Sequence, residues 1–114
     1  MDILGFLQIV FAILTIITGL YSMIRPLAVR GFTGLEVSGP RGITEIRAVL
    51  GGAFIGLGAA PFILDTSAAF QMLGIVYLVI GAVRAVTMFI DKSIVRSNTI
   101  SLIVEIVFGV MLIL

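Results

Sequence analysis

The sequence predicts an all-α integral membrane protein, an up-down bundle of four transmembrane helices. Of its residues, 61% are hydrophobic and only 11% are charged, whereas soluble domains carry about 25% charged residues. Four apolar runs, each long enough or nearly so to cross about 30 Å of hydrocarbon, alternate with short polar segments. The 114 residues are therefore expected to form one domain, 1–114, with no separate soluble part.

The first helix is predicted over about residues 3–24. An acidic Asp2 stands where a signal peptide would be basic, and the apolar run is longer than a signal peptide requires, so a membrane span is favoured. Arg25-Pro26 ends this helix because proline disfavours helix at the preceding residue. Small or polar residues recur at spacings of three and four and predict one stripe that faces protein: Gln8, Ala12, Thr15, Gly19 and Ser22.

The second helix is predicted over about residues 42–64, after a connector expected to be a plain loop. A short interfacial segment at residues 31–35 is the alternative for this connector. Pro40 suits the start of the helix because its missing N–H would have no helical partner there. Gly52 and Gly56 form a GxxxG pair, which predicts that a neighbouring helix approaches closely. A tight turn at residues 65–67 then leads into the third helix.

The third and fourth helices are predicted over about residues 68–90 and 98–114. Gly74 and Gly81 lie one heptad apart in the third helix, and Gly81 is expected to contribute to helix packing. The fourth helix carries a second inward stripe at spacings of three and four: Asn98, Ser101, Glu105 and Gly109. Short links between successive helices favour antiparallel neighbours and an up-down order.

Basic residues predict the orientation of the chain. The first and third connectors carry Arg25, Arg30, Arg41, Lys92 and Arg96, while the opposite side has Asp2 and Asp65 and neither lysine nor arginine. Since basic residues concentrate on the cytoplasmic side of membrane proteins, both termini are expected outside the cytoplasm.

Four ionisable residues fall inside the predicted spans, in the cytoplasmic half: Glu45, Arg47, Arg84 and Glu105. Counting about 1.5 Å per residue places them in a common layer. Glu45 and Arg47 point roughly 200° apart around their helix, so each is expected to reach a different helix. Tyr77, one heptad before Arg84, either lines the same cleft or packs in the core.

This cluster has two interpretations. Paired charges can form an ionic lock that fixes the register of the helices. Alternatively, the layer is a polar pocket open to the cytoplasm, where an arginine binds an anionic or carbonyl-bearing ligand or Glu105 accepts a proton. Both interpretations stay open at the level of sequence.

Three segments together resemble a known family. They are the run Gly42-Ile43-Thr44-Glu45-Ile46-Arg47-Ala48 with the following Gly51-Gly52, the run Gly81-Ala82-Val83-Arg84, and Glu105. The chain is similar in these to an uncharacterised family of small four-span bacterial proteins and, more distantly, to the DoxX-like four-helix membrane proteins. The resemblance implies the fold and a bacterial inner membrane location and supplies no reaction. Family members often have an aromatic residue before the double glycine, where this chain has Leu50.

Three functions are consistent with the sequence. An accessory or small-ligand- or lipid-binding bundle is favoured, with the bilayer, a second copy, a larger membrane complex or an anionic ligand as partner and no nucleic acid. A small-solute transporter or channel is the alternative, although the mid-membrane layers hold no ladder of polar groups. An intramembrane enzyme on a lipid or quinone is least favoured because the chain has neither His nor Cys, so no catalytic residue, cofactor or metal site is predicted.

Overall fold

The computed structural model describes residues 2–114, and these are almost entirely helical, with no strand. Four helices are long and apolar enough to cross a membrane. We label the helices in chain order: α1 (Ile3–Ile24), α2 (Arg30–Thr33), α3 (Pro40–Leu64), α4 (Ser67–Ile90) and α5 (Arg96–Ile113). Relative to the sequence prediction, α3 begins at Pro40 rather than Gly42, and α5 begins at Arg96 rather than Asn98.

The described residues group into two compact units, and the boundary between them falls inside α1. The first, the α4–α5 unit, comprises residues 2–11 of α1 together with Thr66–Leu114. The second, the α1–α3 unit, comprises Ala12–Asp65.

In the α1–α3 unit, α1 and α3 pack closely and antiparallel, because α1 presents small residues to α3. The predicted stripe is confirmed here from Ala12 onward: Ala12, Thr15, Gly19 and Ser22 are the buried residues of α1, whereas Gln8 is half-buried and belongs to the other unit. A Cβ added to Gly19 would stand 2.7 Å from the carbonyl oxygen of Gly51, so the two backbones touch at that point. Such contact requires glycine and is the usual way in which helices associate in lipid.

The middle of α3 is wider than an ordinary α-helix. Pro40–Glu45 and Gly52–Leu64 are α-helical, but Ile46–Gly51 between them is π-helical. A π-segment accommodates about one additional residue per turn and occurs frequently at functional sites. It changes which side chains of α3 share a face.

The connector between α1 and α3 is not the plain loop that the sequence predicts. Pro26–Val29 forms one 3₁₀ turn, which continues into the short helix α2. Proline fixes the backbone angle that begins this turn, and Val29 is completely buried, so an apolar side chain anchors the turn to the unit. Gly34, with φ 75°, ends α2 in the left-handed conformation that glycine adopts readily.

The α4–α5 unit is built around a second close approach between glycines. A Cβ on Gly74 would lie 2.9 Å from the carbonyl oxygen of Gly109, so α4 and α5 also meet backbone to backbone. Beside this crossing the ring of Phe108 stacks on Phe11 of α1, with centroids 4.1 Å apart. The ring of Tyr77 meets Phe108 edge-on at 5.5 Å. Aromatic contacts therefore join three helices within one unit.

The outward faces of the long helices are strongly apolar. Ile63, Phe89 and Val79 are 78%, 73% and 57% exposed. Water would make such extended apolar surfaces unfavourable, whereas hydrocarbon chains solvate them. The surface thus agrees with the composition in indicating a multi-pass membrane protein.

Substitutions of two glycines in α3 test the packing. Gly58→Ala should lower the free energy of unfolding by about 1–3 kcal/mol, as overpacking typically does, because its Cβ would meet Ile16 at 2.7 Å and the Ala12 carbonyl oxygen at 2.8 Å. Gly56→Ala is the matched control, since nothing lies within 4 Å of its Cβ position, and should be neutral or slightly stabilising. Thermal unfolding in detergent measures both. Equal melting temperatures for the two variants would contradict the observation that Gly58, and not Gly56, faces α1.

Candidate functional site

The most completely satisfied charges of the chain are Arg84 on α4 and Glu105 on α5. Arg84 Nε donates to Glu105 Oε1 at 2.7 Å, and Nη2 donates to Oε2 at 2.7 Å. This bidentate geometry is the strongest arrangement between a guanidinium and a carboxylate. The Glu105 side chain is 10% exposed and that of Arg84 is 32% exposed. The pair therefore links the two helices where water has little access to the carboxylate.

Asn98 extends the ion pair to the turn between α4 and α5. Arg84 Nη1 donates to Asn98 Oδ1 at 2.7 Å, and Asn98 Nδ2 in turn donates to the Ser93 carbonyl oxygen at 3.0 Å. Gly81 makes room for this arrangement, because a Cβ there would lie 3.5 Å from Glu105 Cβ and 3.1 Å from Ile106 Cδ1. The network thus fixes α4, the turn and the start of α5 relative to one another.

The two groups of this pair are fully engaged with each other. Both carboxylate oxygens of Glu105 already accept a hydrogen bond from Arg84. Each oxygen of Glu105 keeps a further lone pair, but only 10% of the side chain is exposed, so a ligand has little access to it. Breaking a buried pair is costly because it leaves an uncompensated charge. The geometry accordingly matches an ionic lock.

Glu45 is engaged differently from the prediction. It accepts a hydrogen bond from Arg41 Nη1 at 2.6 Å, four residues earlier on the same helix, and both side chains are more than half exposed. The expectation that Glu45 reaches a different helix is wrong. An i,i+4 pair forms within one helix because those positions lie on one face.

Arg47 is the remaining member of the predicted cluster. It is exposed, and among residues 2–114 it has no side-chain hydrogen bond or ion pair. It lines an open cleft of about 350 Å³ together with Arg25, which likewise has no side-chain partner in that range. The other residues that line the cleft are apolar: Ile24, Pro26, Leu27, Ala28 and Ile43.

The cleft is formed by three local features of the α1–α3 unit. Arg25 follows the last residue of α1, and the 3₁₀ turn Pro26–Val29 supplies one wall. Arg47 lies in the π-helical segment of α3, next to Ile46 at its start. Two guanidiniums and no carboxylate line the cleft, so its electrostatic character is positive.

The predicted common layer divides between the two units. Glu45 and Arg47 belong to the α1–α3 unit, and Arg84 and Glu105 belong to the α4–α5 unit. Their grouping in one layer stays a prediction. Tyr77 is buried, and its ring packs against Phe108, which places it in the aromatic core of its unit.

The glycines that bring α3 against α1 differ from those expected. Nothing outside the local backbone of α3 lies within 4 Å of a Cβ position on Gly52 or Gly56, so this pair does not face α1 in the α1–α3 unit. Close approach of another helix at this pair stays a prediction. Gly51 and Gly58 make the contacts with α1 instead. Both pairs can be recognised in the sequence, but the sequence does not show which face of α3 packs against α1.

Arg25 is a cleft residue that sequence reasoning used only for the end of the first helix and for topology. The sequence feature that could have identified it is Arg25-Pro26 at the end of the first apolar run, because a proline can begin a new turn directly after a helix. The second basic residue, Arg47, stood out because a charge inside an apolar run is costly without a partner.

No family model, no curated protein and no solved structure matches the chain. Residues 2–114 also hold no group of three His, Cys, Asp or Glu side chains placed to bind a metal ion. Its function must therefore be inferred from the geometry of its own side chains.

Substitutions that break and then remove the ion pair test its role. Arg84→Met alone and Glu105→Leu alone should each lower stability by about 3–5 kcal/mol, because each strands the other charge. The double variant should recover most of that loss, since two apolar side chains need no counter-charge. Unfolding in detergent by heat or denaturant measures all three.

The exposed pair on α3 provides the control for this cycle. Arg41→Gln and Glu45→Gln should each change stability by no more than about 1 kcal/mol, because water replaces the lost partner. Additive losses in the Arg84→Met/Glu105→Leu double variant would contradict the lock.

Proposed function

We propose that this chain is a small multi-pass membrane protein that binds an anionic ligand in the cleft of Arg25 and Arg47, with the Arg84–Glu105 pair as a structural lock. The observation that carries the proposal is the difference in pairing among the charges inside the helices. Glu45 is neutralised by Arg41, and Arg84 and Glu105 neutralise each other. Arg47 has no such partner and lines a cleft.

Binding is the chemistry that this cleft supports best. An arginine within an apolar helix is tolerated where it reaches water, a partner or a functional site. Guanidinium groups recognise phosphate and carboxylate by paired, charge-assisted hydrogen bonds, and their planar geometry is fixed before the ligand arrives. A volume of about 350 Å³ is at the lower end of the range for ligand sites, about 300–1,000 Å³. A small anion, or the polar end of a larger one, fits such a cleft.

The proposal places the four long helices in a bilayer as an up-down bundle with an accessory, binding role. Their apolar outer faces support insertion, and the antiparallel packing within each unit agrees with short links between spans. The basic residues of the first and third connectors put the cleft on the cytoplasmic side. The resemblance to small four-span bacterial proteins supports an inner membrane location.

Single cysteines test this orientation, because the chain has no native cysteine. Ser38→Cys, before α3, should resist a membrane-impermeant thiol reagent in intact cells, and Ser67→Cys, at the start of α4, should react. Both serines are exposed, so access to the side chain is not the limiting factor. Labelling of Ser38→Cys in intact cells, with protection of Ser67→Cys, would reverse the proposed orientation.

A titration with butyl phosphate tests binding at the cleft. In the protein labelled with ¹⁵N-arginine and held in a neutral detergent, the side-chain Nε signals of Arg25 and Arg47 should shift, because both have hydrogen-bond donors to offer. Arg47→Gln should weaken binding about tenfold, since a charge-assisted hydrogen bond contributes about 1.5–3 kcal/mol. Arg96→Gln removes an equal charge outside the cleft and should leave affinity unchanged. Shifts at Arg84 without shifts at Arg47 would refute the proposed site.

A further inference from the structure

The walls of the cleft restrict the kind of anion that it accepts. Ile24 and Leu27, on either side of Arg25 and Pro26, are 66% and 64% exposed. Both line the same cleft as the two arginines, as does Ile43 of α3. A fully water-soluble anion would use only the guanidiniums and leave these apolar walls without a partner. A ligand with a charged end and a hydrocarbon end would use both.

The position of the arginines along their helices points to the same kind of ligand. Arg25 directly follows a helix of 22 residues, which is long enough to cross the hydrocarbon, so its guanidinium lies at the level of the lipid headgroups. Arg47 lies about 10 Å along the helix axis from Pro40, and long arginine side chains extend toward the membrane surface from such depths. Both charges therefore reach the zone where lipid phosphates lie.

The net charge of the headgroup determines which phospholipids the cleft should favour. The cleft contains two guanidiniums and no carboxylate that would bind a positively charged headgroup. A headgroup with a net negative charge offsets part of the positive charge of the cleft, whereas a zwitterionic headgroup brings its own cation with it. Basic pockets between membrane helices bind anionic lipids for this reason.

We infer that the ligand of the cleft is an anionic phospholipid, with its phosphate bound by Arg25 and Arg47 and its acyl chain packed along Ile24, Leu27 and Ile43. This inference rests on the proposed anion-binding function and narrows it to one class of ligand. The lipid provides the counter-charge for Arg47 and covers the exposed side chains at the end of α1. The 3₁₀ turn Pro26–Val29 holds one arginine and one apolar wall in the required arrangement.

Lipid retention measured by native mass spectrometry tests the inference. The intact protein is purified in a neutral detergent with equal amounts of phosphatidylglycerol and phosphatidylcholine that carry identical acyl chains. The parent should retain phosphatidylglycerol about tenfold more than phosphatidylcholine. The Arg25→Gln/Arg47→Gln variant should lose that preference. Both side chains are exposed and lack protein partners, so the variant should fold normally.

The control variant is Lys92→Gln/Arg96→Gln, which removes the same number of positive charges from a different part of the chain. It should keep the preference for phosphatidylglycerol. An equal loss in both variants would mean that general surface charge selects the lipid and would overturn the inference. So would equal retention of the two lipids by the parent.

A third variant tests the apolar half of the site. Leu27→Asn should weaken retention of phosphatidylglycerol but leave the response of Arg47 to butyl phosphate nearly unchanged. If the parent responds to butyl phosphate but shows no preference between the lipids, the lipid inference fails and anion binding stands. If it shows neither effect, both proposals fail.

Discussion

Backbone contact between helices is the constraint on which the rest of this structure depends. In lipid, apolar side chains gain little by leaving hydrocarbon for protein, so helices associate where their backbones come close. Gly19 meets Gly51 in one unit, and Gly74 meets Gly109 in the other. A side chain at any of these positions would force the helices apart. The first of these crossings also lies in the π-helical segment that carries Arg47, so the packing of α3 on α1 determines where that arginine is presented.

The spacing of small residues predicted the buried face of α1 but not the face of α3 that packs against it. Along α1 most of the small and polar residues fall on a single stripe, and that stripe is buried from Ala12 to Ser22. In α3 glycines occupy two adjacent faces, and the GxxxG spacing of Gly52 and Gly56 drew attention to the face that α1 does not cover. Gly51 and Gly58 face α1 instead, since they lie seven residues apart on one side of the helix. Periodicity alone cannot show which of two faces lined by small residues packs against the neighbouring helix.

The sequence was also an incomplete guide to the partners of the charged residues. The Arg84–Glu105 contact could be predicted because few partners exist for a charge at that depth. The Arg41–Glu45 contact was equally visible in the four-residue spacing, but attention to depth in the membrane favoured partners on other helices. The cleft beside Arg25 could not be predicted, because it depends on the 3₁₀ turn of a connector that reads as a loop.

The buried ion pair and the exposed arginines of the cleft differ in their availability to a ligand, and the difference has a physical reason. In the Arg84–Glu105 pair each charge already has its partner, and a ligand that displaced one of them would leave the other uncompensated. An exposed guanidinium without a partner pays no such penalty, and an approaching anion gains the full charge-assisted contact. Intramembrane charges are often taken together as one functional site. Here the two kinds of charge lie in different units: the paired charges join α4 to α5, and the two arginines of the cleft are the groups to which we assign anion binding.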